Sequence, residues 1–277
     1  MSGFSPEWLA LREPVDHRSR DVGLAARVRA RFAGVDSVTV VDLGCGSGSN
    51  LRATSVLLGA RQDWTLVDYD PRLLTAARDR LTAWADTATE AGDALALVKG
   101  GKSITVRFRQ ADLTRDLDVA LGTQPDLVTA SALFDLCSVG FIEHFAAAVA
   151  ARRAAFYTVL TYDGVQSWQP AHEADAALLE AFRAHQLTDK GFGASAGWMA
   201  PQALAKAFHA AGYSVAEGDS PWRLEPGDKS LIADLAAGFA DAAAETGRVT
   251  IERLADWRSV TRTHGTVGHT DTLALPA

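Results

Sequence analysis

The residues best suited to chemistry lie in one loop, Asp42-Leu43-Gly44-Cys45-Gly46-Ser47-Gly48, and in two further acids, Asp68 and Asp112, that end strand-like runs. Glycines let a backbone turn sharply and approach a ligand, while free N–H groups at the start of the next helix face it. The dinucleotide fingerprint needs glycine or alanine at its sixth position; counted from Gly44, that residue is Ser49. Asp42 would repel a pyrophosphate, whereas a cationic sulfonium ligand with an amino group would be attracted. Asp68, twenty residues after Gly48, suits a pair of ribose hydroxyls. Asp112 suits the amino group of adenine, with Tyr69 placed to stack beside the base and Leu113 next to it. Cys45 occupies a free position of the loop.

Elements must hold these residues together. SVTVVDLG (37–44) is a continuous apolar run, as expected for a strand covered on both faces. WTLVD (64–68), ITVRFRQAD (104–112), PDLVTASAL (125–133) and AAFYTVLTYDG (154–164) read as four further strands. Helical periodicity fills 48–60, the segment after Pro71, and 139–150. This β-α alternation predicts a parallel sheet with helices on both faces, and ligands in such sheets lie at the carboxyl ends of the strands. Residues 6–33 read as helical, interrupted at Pro14 and stopped at Gly34. Beyond 164 the pattern predicts helices at 171–187, at 201–212 and over 228–259, a strand at 213–218 and a last strand at 265–276.

On these residues the chain resembles the class I S-adenosylmethionine-dependent methyltransferases. VVDLGCGSGSN is similar to their first motif, LVDYD to the acidic second, QADL to the adenine-contacting third and PDLVTASALFDL to the fourth. The resemblance covers about residues 37–161. It implies a Rossmann-like, mostly parallel seven-stranded sheet in the order 3-2-1-4-5-7-6, with an antiparallel last strand supplied by 265–276. It also implies S-adenosylmethionine as cofactor, contacted by Asp42, Gly44, Cys45, Gly46, Gly48, Asp68, Tyr69, Asp112, Leu113 and Ser131. One methyltransferase domain over 1–277 is expected: a helical lid at 1–34, a cofactor-binding core at 35–163, and a substrate-side half at 164–277. Inserts at 164–200 and 219–264 exceed the minimal family core and are where acceptor choice should lie.

In-line methyl transfer rests largely on positioning the acceptor, with a general base where a nitrogen or oxygen must lose a proton. Asp135, just past the fourth strand, is the catalytic candidate, and Tyr162, Trp168, His185, Lys190 and Phe192 are candidates for the acceptor pocket. Arg52 either pairs with the cofactor's carboxylate or makes a salt bridge. Arg18 and Arg20 either close over the cofactor or belong to a solvated helix face. Lys190-Gly191-Phe192-Gly193 reads as a lid, an anion cradle or a plain turn.

Bulk properties narrow the acceptor. The 277 residues carry a net charge of −7, which gives no footprint for nucleic-acid phosphates. The sequence after the fourth strand, Ser131-Ala132-Leu133-Phe134, lacks the Asn/Asp-Pro-Pro-Tyr pattern of the family's base and glutamine amino-methylases. A small or medium-sized metabolite is therefore the expected acceptor, without nucleic-acid or membrane partners, in a monomer or homodimer. Two cysteines without metal-ligand spacing leave no expected metal site or disulfide framework. No signal-like or membrane-spanning apolar run occurs, so a cytoplasmic protein is expected. Two other readings stand beside this one: an NAD(P)-dependent oxidoreductase on a similar sheet, and a catalytically silent methyltransferase-like partner.

Overall fold

The apolar run at 37–43 forms β1 (Ser37–Leu43), whose last four residues are all buried. It lies mid-sheet because both of its faces are apolar, so it pairs in parallel on either side, with β2 (Arg61–Asp68) and β6 (Leu127–Ser131). The computed structural model describes residues 4–277. Its other strands are β3 (Thr87–Ala91), β4 (Ala94–Lys99), β5 (Lys102–Gln110), β7 (Ala155–Gln169), β8 (Tyr213–Asp219), β9 (Trp222–Leu224) and β10 (His264–Pro276).

The sheet has ten strands in the order β3-β4-β5-β2-β1-β6-β7-β10-β8, with β9 paired to β10. This corrects the expected seven strands: β3, β4 and β9 are additional and change the full order, while the seven expected strands lie among themselves as β5-β2-β1-β6-β7-β10-β8. The hairpin of β3 and β4 adds an edge beyond β5, antiparallel throughout. Its outer strand, Thr-Ala-Thr-Glu-Ala, is almost wholly exposed, so it carries no apolar alternation to read. Its turns at Gly92-Asp93 and Gly100-Gly101, with positive φ at all three glycines, are nonetheless hairpin signals. The strands β5, β2, β1, β6 and β7 are parallel, and β10 runs antiparallel between β7 and β8.

The helices are α1 (Pro6–Ser19), α2 (Val22–Arg31), α3 (Ser49–Thr54), α4 (Pro71–Trp84), α5 (Leu113–Leu121), α6 (Val139–Ala151), α7 (Asp175–Gln186), α8 (Ala200–Ala210), α9 (Lys229–Glu245) and α10 (Ile251–Ser259). Helix α1 runs through Pro14; the break comes instead at Asp21, whose carboxylate caps Leu24 N–H at 2.6 Å. The expected helix at 228–259 is two, parted at Gly247 (φ 65°) and restarted where Thr250 caps α10. Strand β7 continues five residues past the expected end at 164, because β10 pairs with it as far as Gln169. One face of the sheet is packed by Phe134, Phe145, Phe156 and Phe208, with Phe156 stacked on Phe208 at 4.7 Å. Opposite, Trp168, Phe239 and Trp257 bind the later helices to the sheet. No described helix is long and apolar enough to cross a membrane.

Candidate functional site

The carboxyl ends of β1, β2, β5 and β6 open onto one cavity of about 1240 Å³. The turn from β1 into α3 uses positive φ at Gly44 (61°), Gly46 (51°) and Gly48 (77°), a conformation costly for residues with a Cβ. A Cβ on Gly46 would also stand 3.0 Å from Leu9 Cδ1 of α1. Gly44, Cys45, Gly46, Ser47 and Ser49 line the cavity, whereas Gly48 faces Ala77 and Leu81 of α4.

Asp68 ends β2 inside the cavity wall. Its Oδ2 accepts the Gly46 N–H at 2.8 Å and its Oδ1 the Asp70 N–H at 3.0 Å. One carboxylate thus ties the glycine loop to the next strand end. Burial raises its pKa, opposed by those two N–H groups. Tyr69 lies half exposed along the same wall, and Asp112 and Leu113 close the far end. Asp112 also caps α5, accepting Thr114 N–H at 3.0 Å, and its pKa is lowered chiefly by the Thr114 hydroxyl. Ser131, Ala132 and Leu133 contribute from the end of β6.

Asp42 lies elsewhere. It is wholly buried behind the loop, outside the cavity lining, where its Oδ1 accepts Asn50 Nδ2 at 2.7 Å. Burial pushes its pKa up to about 7, and Oδ2 has no partner. The sequence placed this acid against the ligand because it precedes the glycines; the strand pleat turns it into the protein instead. Asn50, by contrast, does line the cavity, held by Asp42, by Thr129 and by Arg20 at 3.0 Å.

The arginines left open between a ligand and a protein partner are engaged with protein groups. Arg52 makes a paired salt bridge with Glu13 of α1 (2.7 and 2.6 Å) and donates to Ser47 O at 3.0 Å. Arg20 bonds Thr54 and Asn50, and Arg18 pairs with Asp228 at 2.5 Å. The α1 residues that do face the cavity are Leu9, Arg12 and Asp16. Sequence periodicity alone could not select them, since α1 has apolar and charged residues all round.

Of the acceptor candidates, His185, Lys190 and Phe192 line the cavity's other rim. His185 approaches Glu245 at 3.0 Å, while Phe192 packs edge-on against Phe141 at 4.8 Å. The glycine-rich stretch is a closed turn, because Asp189 already takes the N–H groups of Gly191 and Gly193; it is no free anion cradle. Trp168 belongs to the core, tilted against Phe239 and edge-on to Trp257, outside the cavity lining. Asp135 and Tyr162 are buried and outside the cavity lining, the first with Oδ1 and the second with its hydroxyl unpartnered. Burial pushes Asp135 up to about 6 and raises Tyr162. Cys45 is buried with its thiol raised by burial, which leaves it un-ionised and inert.

Comparison with solved structures decides the fold. A cyclopropane-fatty-acyl-phospholipid synthase-like protein from Lactobacillus casei superposes with a TM-score of 0.52 at 15% identity, covering 95% of this chain and 99% of its own. The YcgJ protein from Bacillus subtilis gives 0.54 at 14% identity, over 94% and 98%. Phosphoethanolamine N-methyltransferase 2 from Haemonchus contortus, crystallised with S-adenosylhomocysteine, gives 0.50 at 11%, over all of this chain and 58% of its own. The chain has the class I methyltransferase fold. Neither a family model nor a curated protein matches its sequence. In this methyltransferase fold the cavity occupies the strand ends where ligands of open α/β sheets bind.

Proposed function

We propose that the protein transfers a methyl group from S-adenosylmethionine to a small or medium-sized metabolite, and that the whole chain works as one methyltransferase unit. The observation that carries this reading is Asp68, which lines the cavity while fixing the glycine loop through Gly46 N–H. A carboxylate there repels a phosphate and accepts ribose hydroxyls. The residues that would hold the cofactor are Gly44 and Gly46 by backbone approach, Asp68 at the ribose, Tyr69, Asp112 and Leu113 around the adenine, and Asn50 and Ser131 toward the methionine end. The cofactor supplies an electrophilic methyl on a sulfonium. The protein's part is to orient the acceptor, exclude water and receive its proton. Asp135 suits that last task, since a carboxylate held near 6 is ionised at neutral pH yet basic enough to take a proton.

Calorimetry tests the reading. S-adenosylhomocysteine binds and NADH does not; binding of NADH alone, or of neither, refutes it. Turnover of methyl-labelled cofactor with a metabolite mixture separates an enzyme from a silent homologue.

A further inference from the structure

S-adenosylmethionine ends in an α-amino acid, and its carboxylate needs a cation near the glycine loop, beyond the ribose. Four lysines and arginines line the cavity: Arg12, Arg72, Arg115 and Lys190. Arg72 is paired with Asp70, next to Tyr69, and Arg115 with Asp112. Both are mostly exposed and stand at the end of the cavity given to the adenine. Lys190 is on the other rim, its ammonium 3.3 Å from His185 Nε2. Arg12 alone is beside the loop. Leu9 of α1 abuts Gly46, and Arg12, three residues on, shares its helix face.

Arg12 is held from one side. Its Nε and Nη2 donate to Asp16 Oδ2 and Oδ1 at 2.8 and 3.2 Å, and Trp222 Nε1 donates to the same Oδ1 at 3.0 Å. The guanidinium lies over the Trp222 ring, 5.0 Å from its centre. Only 11% of the Arg12 side chain and 8% of the Asp16 side chain are exposed. Nη1 is left over: among the described residues it has no hydrogen-bond partner, yet it is not sealed in the interior. A guanidinium donates in a rigid planar fork. The edge of Nε and Nη2 is taken by Asp16, and the edge of Nη1 and the outer N–H of Nη2 is open.

We propose that Arg12 binds the cofactor's terminal carboxylate through this open edge, and that Asp16 and Trp222 are its positioning residues. This rests on the methyl-transfer reading above. All three lie outside residues 37–161, which carry the resemblance to the family, and Trp222 belongs to β9, a strand additional to the expected seven. A bidentate carboxylate matches the fork in shape and charge. Because Asp16 and the indole already fix the side chain, little rotamer freedom is lost when the ligand arrives. Asp68 at the ribose and Arg12 at the carboxylate then hold the cofactor on both sides of its sulfur, which orients the methyl group for in-line transfer.

Calorimetry on the full chain tests this with S-adenosylhomocysteine and its decarboxylated thiopropylamine analogue, which differ only in the carboxylate. The wild-type chain binds the first about tenfold or more tighter. Arg12→Gln weakens S-adenosylhomocysteine by about that factor and leaves the analogue within about twofold, a split that a general loosening of α1 would not give. Arg12→Lys keeps a cation and serves where Arg12→Gln does not fold; an ammonium lacks the two-edged fork, so it too narrows the difference between the ligands. Trp222→Phe keeps a ring under the guanidinium but removes the N–H that holds Asp16, and narrows the difference less. Equal wild-type affinity for the two ligands, a difference unchanged in the Arg12 variants, or equal weakening of both ligands in them overturns the proposal. A difference unchanged in Trp222→Phe overturns the positioning role of the indole. Failure of the wild-type chain to bind either ligand refutes the methyl-transfer reading itself.

Discussion

Replacing Asp68 separates two tasks that the structure gives to one carboxylate. In Asp68→Ala the N–H groups of Gly46 and Asp70 lose acceptors at 2.8 and 3.0 Å. Both face a cavity that water can enter, so each loss sits at the low end for a hydrogen bond, about 1 kcal/mol. The free protein should therefore lose about 1–2 kcal/mol of stability, read by urea denaturation at pH 7. The cofactor loses a charge-assisted acceptor for its ribose, about 1.5–3 kcal/mol, which is roughly a 10- to 100-fold rise in Kd for S-adenosylhomocysteine. Asp68→Asn keeps one oxygen but turns an amide donor toward one of the two N–H groups. Its stability should fall as well, while its affinity lies between those of the wild type and Asp68→Ala. A folded Asp68→Ala protein whose Kd stays within about twofold of the wild type would refute the ribose assignment, and with it the observation on which the function rests.

Two further outcomes follow from buried charge near the loop. Asp42 is raised to about 7 in the folded protein from an ordinary carboxylate value. Its contribution is therefore fully present below about pH 4 and lost as pH rises through about 7; Asp42→Asn keeps an acceptor for Asn50 and should flatten that part of the stability profile, and an unaltered slope in urea titrations between pH 4 and 8 would count against it. Glu13→Gln leaves Arg52 a buried cation with only neutral partners, the new amide and Ser47 O; a loss of about 1–3 kcal/mol in thermal denaturation is expected, and no loss would show that α1 is not anchored through this pair.

Legibility in the sequence followed burial. The central strands were readable because each is a short apolar run, and Gly44, Gly46, Asp68 and Asp112 because a sharp turn and a strand end restrict residue type. The edge hairpin at 87–99 escaped because its outer strand faces solvent and shows no period. Trp168 was read toward the pocket on the strength of its aromatic ring, but an indole packed on Phe239 and Trp257 is core. His269, paired with Tyr162 across β10 and β7, left no signal at all. It sits in a strand whose neighbours are glycine and threonine, and its partner Tyr162 lies 107 positions away, a pairing that only the register of β7 and β10 creates.

The N-terminal segment shows how such long-range pairing changes function as well as fold. A lid would keep its cations free for the ligand. Here Glu13 holds Arg52, His17 Nε2 meets Ser49 Oγ at 2.9 Å, Arg20 grips Asn50, and Leu9 abuts Gly46. Four contacts thus run from α1 and the residue that follows it to the glycine loop and to α3. The loop's conformation, strained for any residue with a side chain, is held from above by these contacts and from the side by Asp68. Preorganisation of this kind lowers the ordering cost when a ligand enters. It also leaves Arg12, set over Trp222 at 5.0 Å and paired with Asp16, as the one guanidinium of α1 in the cavity lining. Since its charge acts on Asp135 and, in β10, on His269, the helix that steadies the glycine loop also bears on two buried groups on other elements.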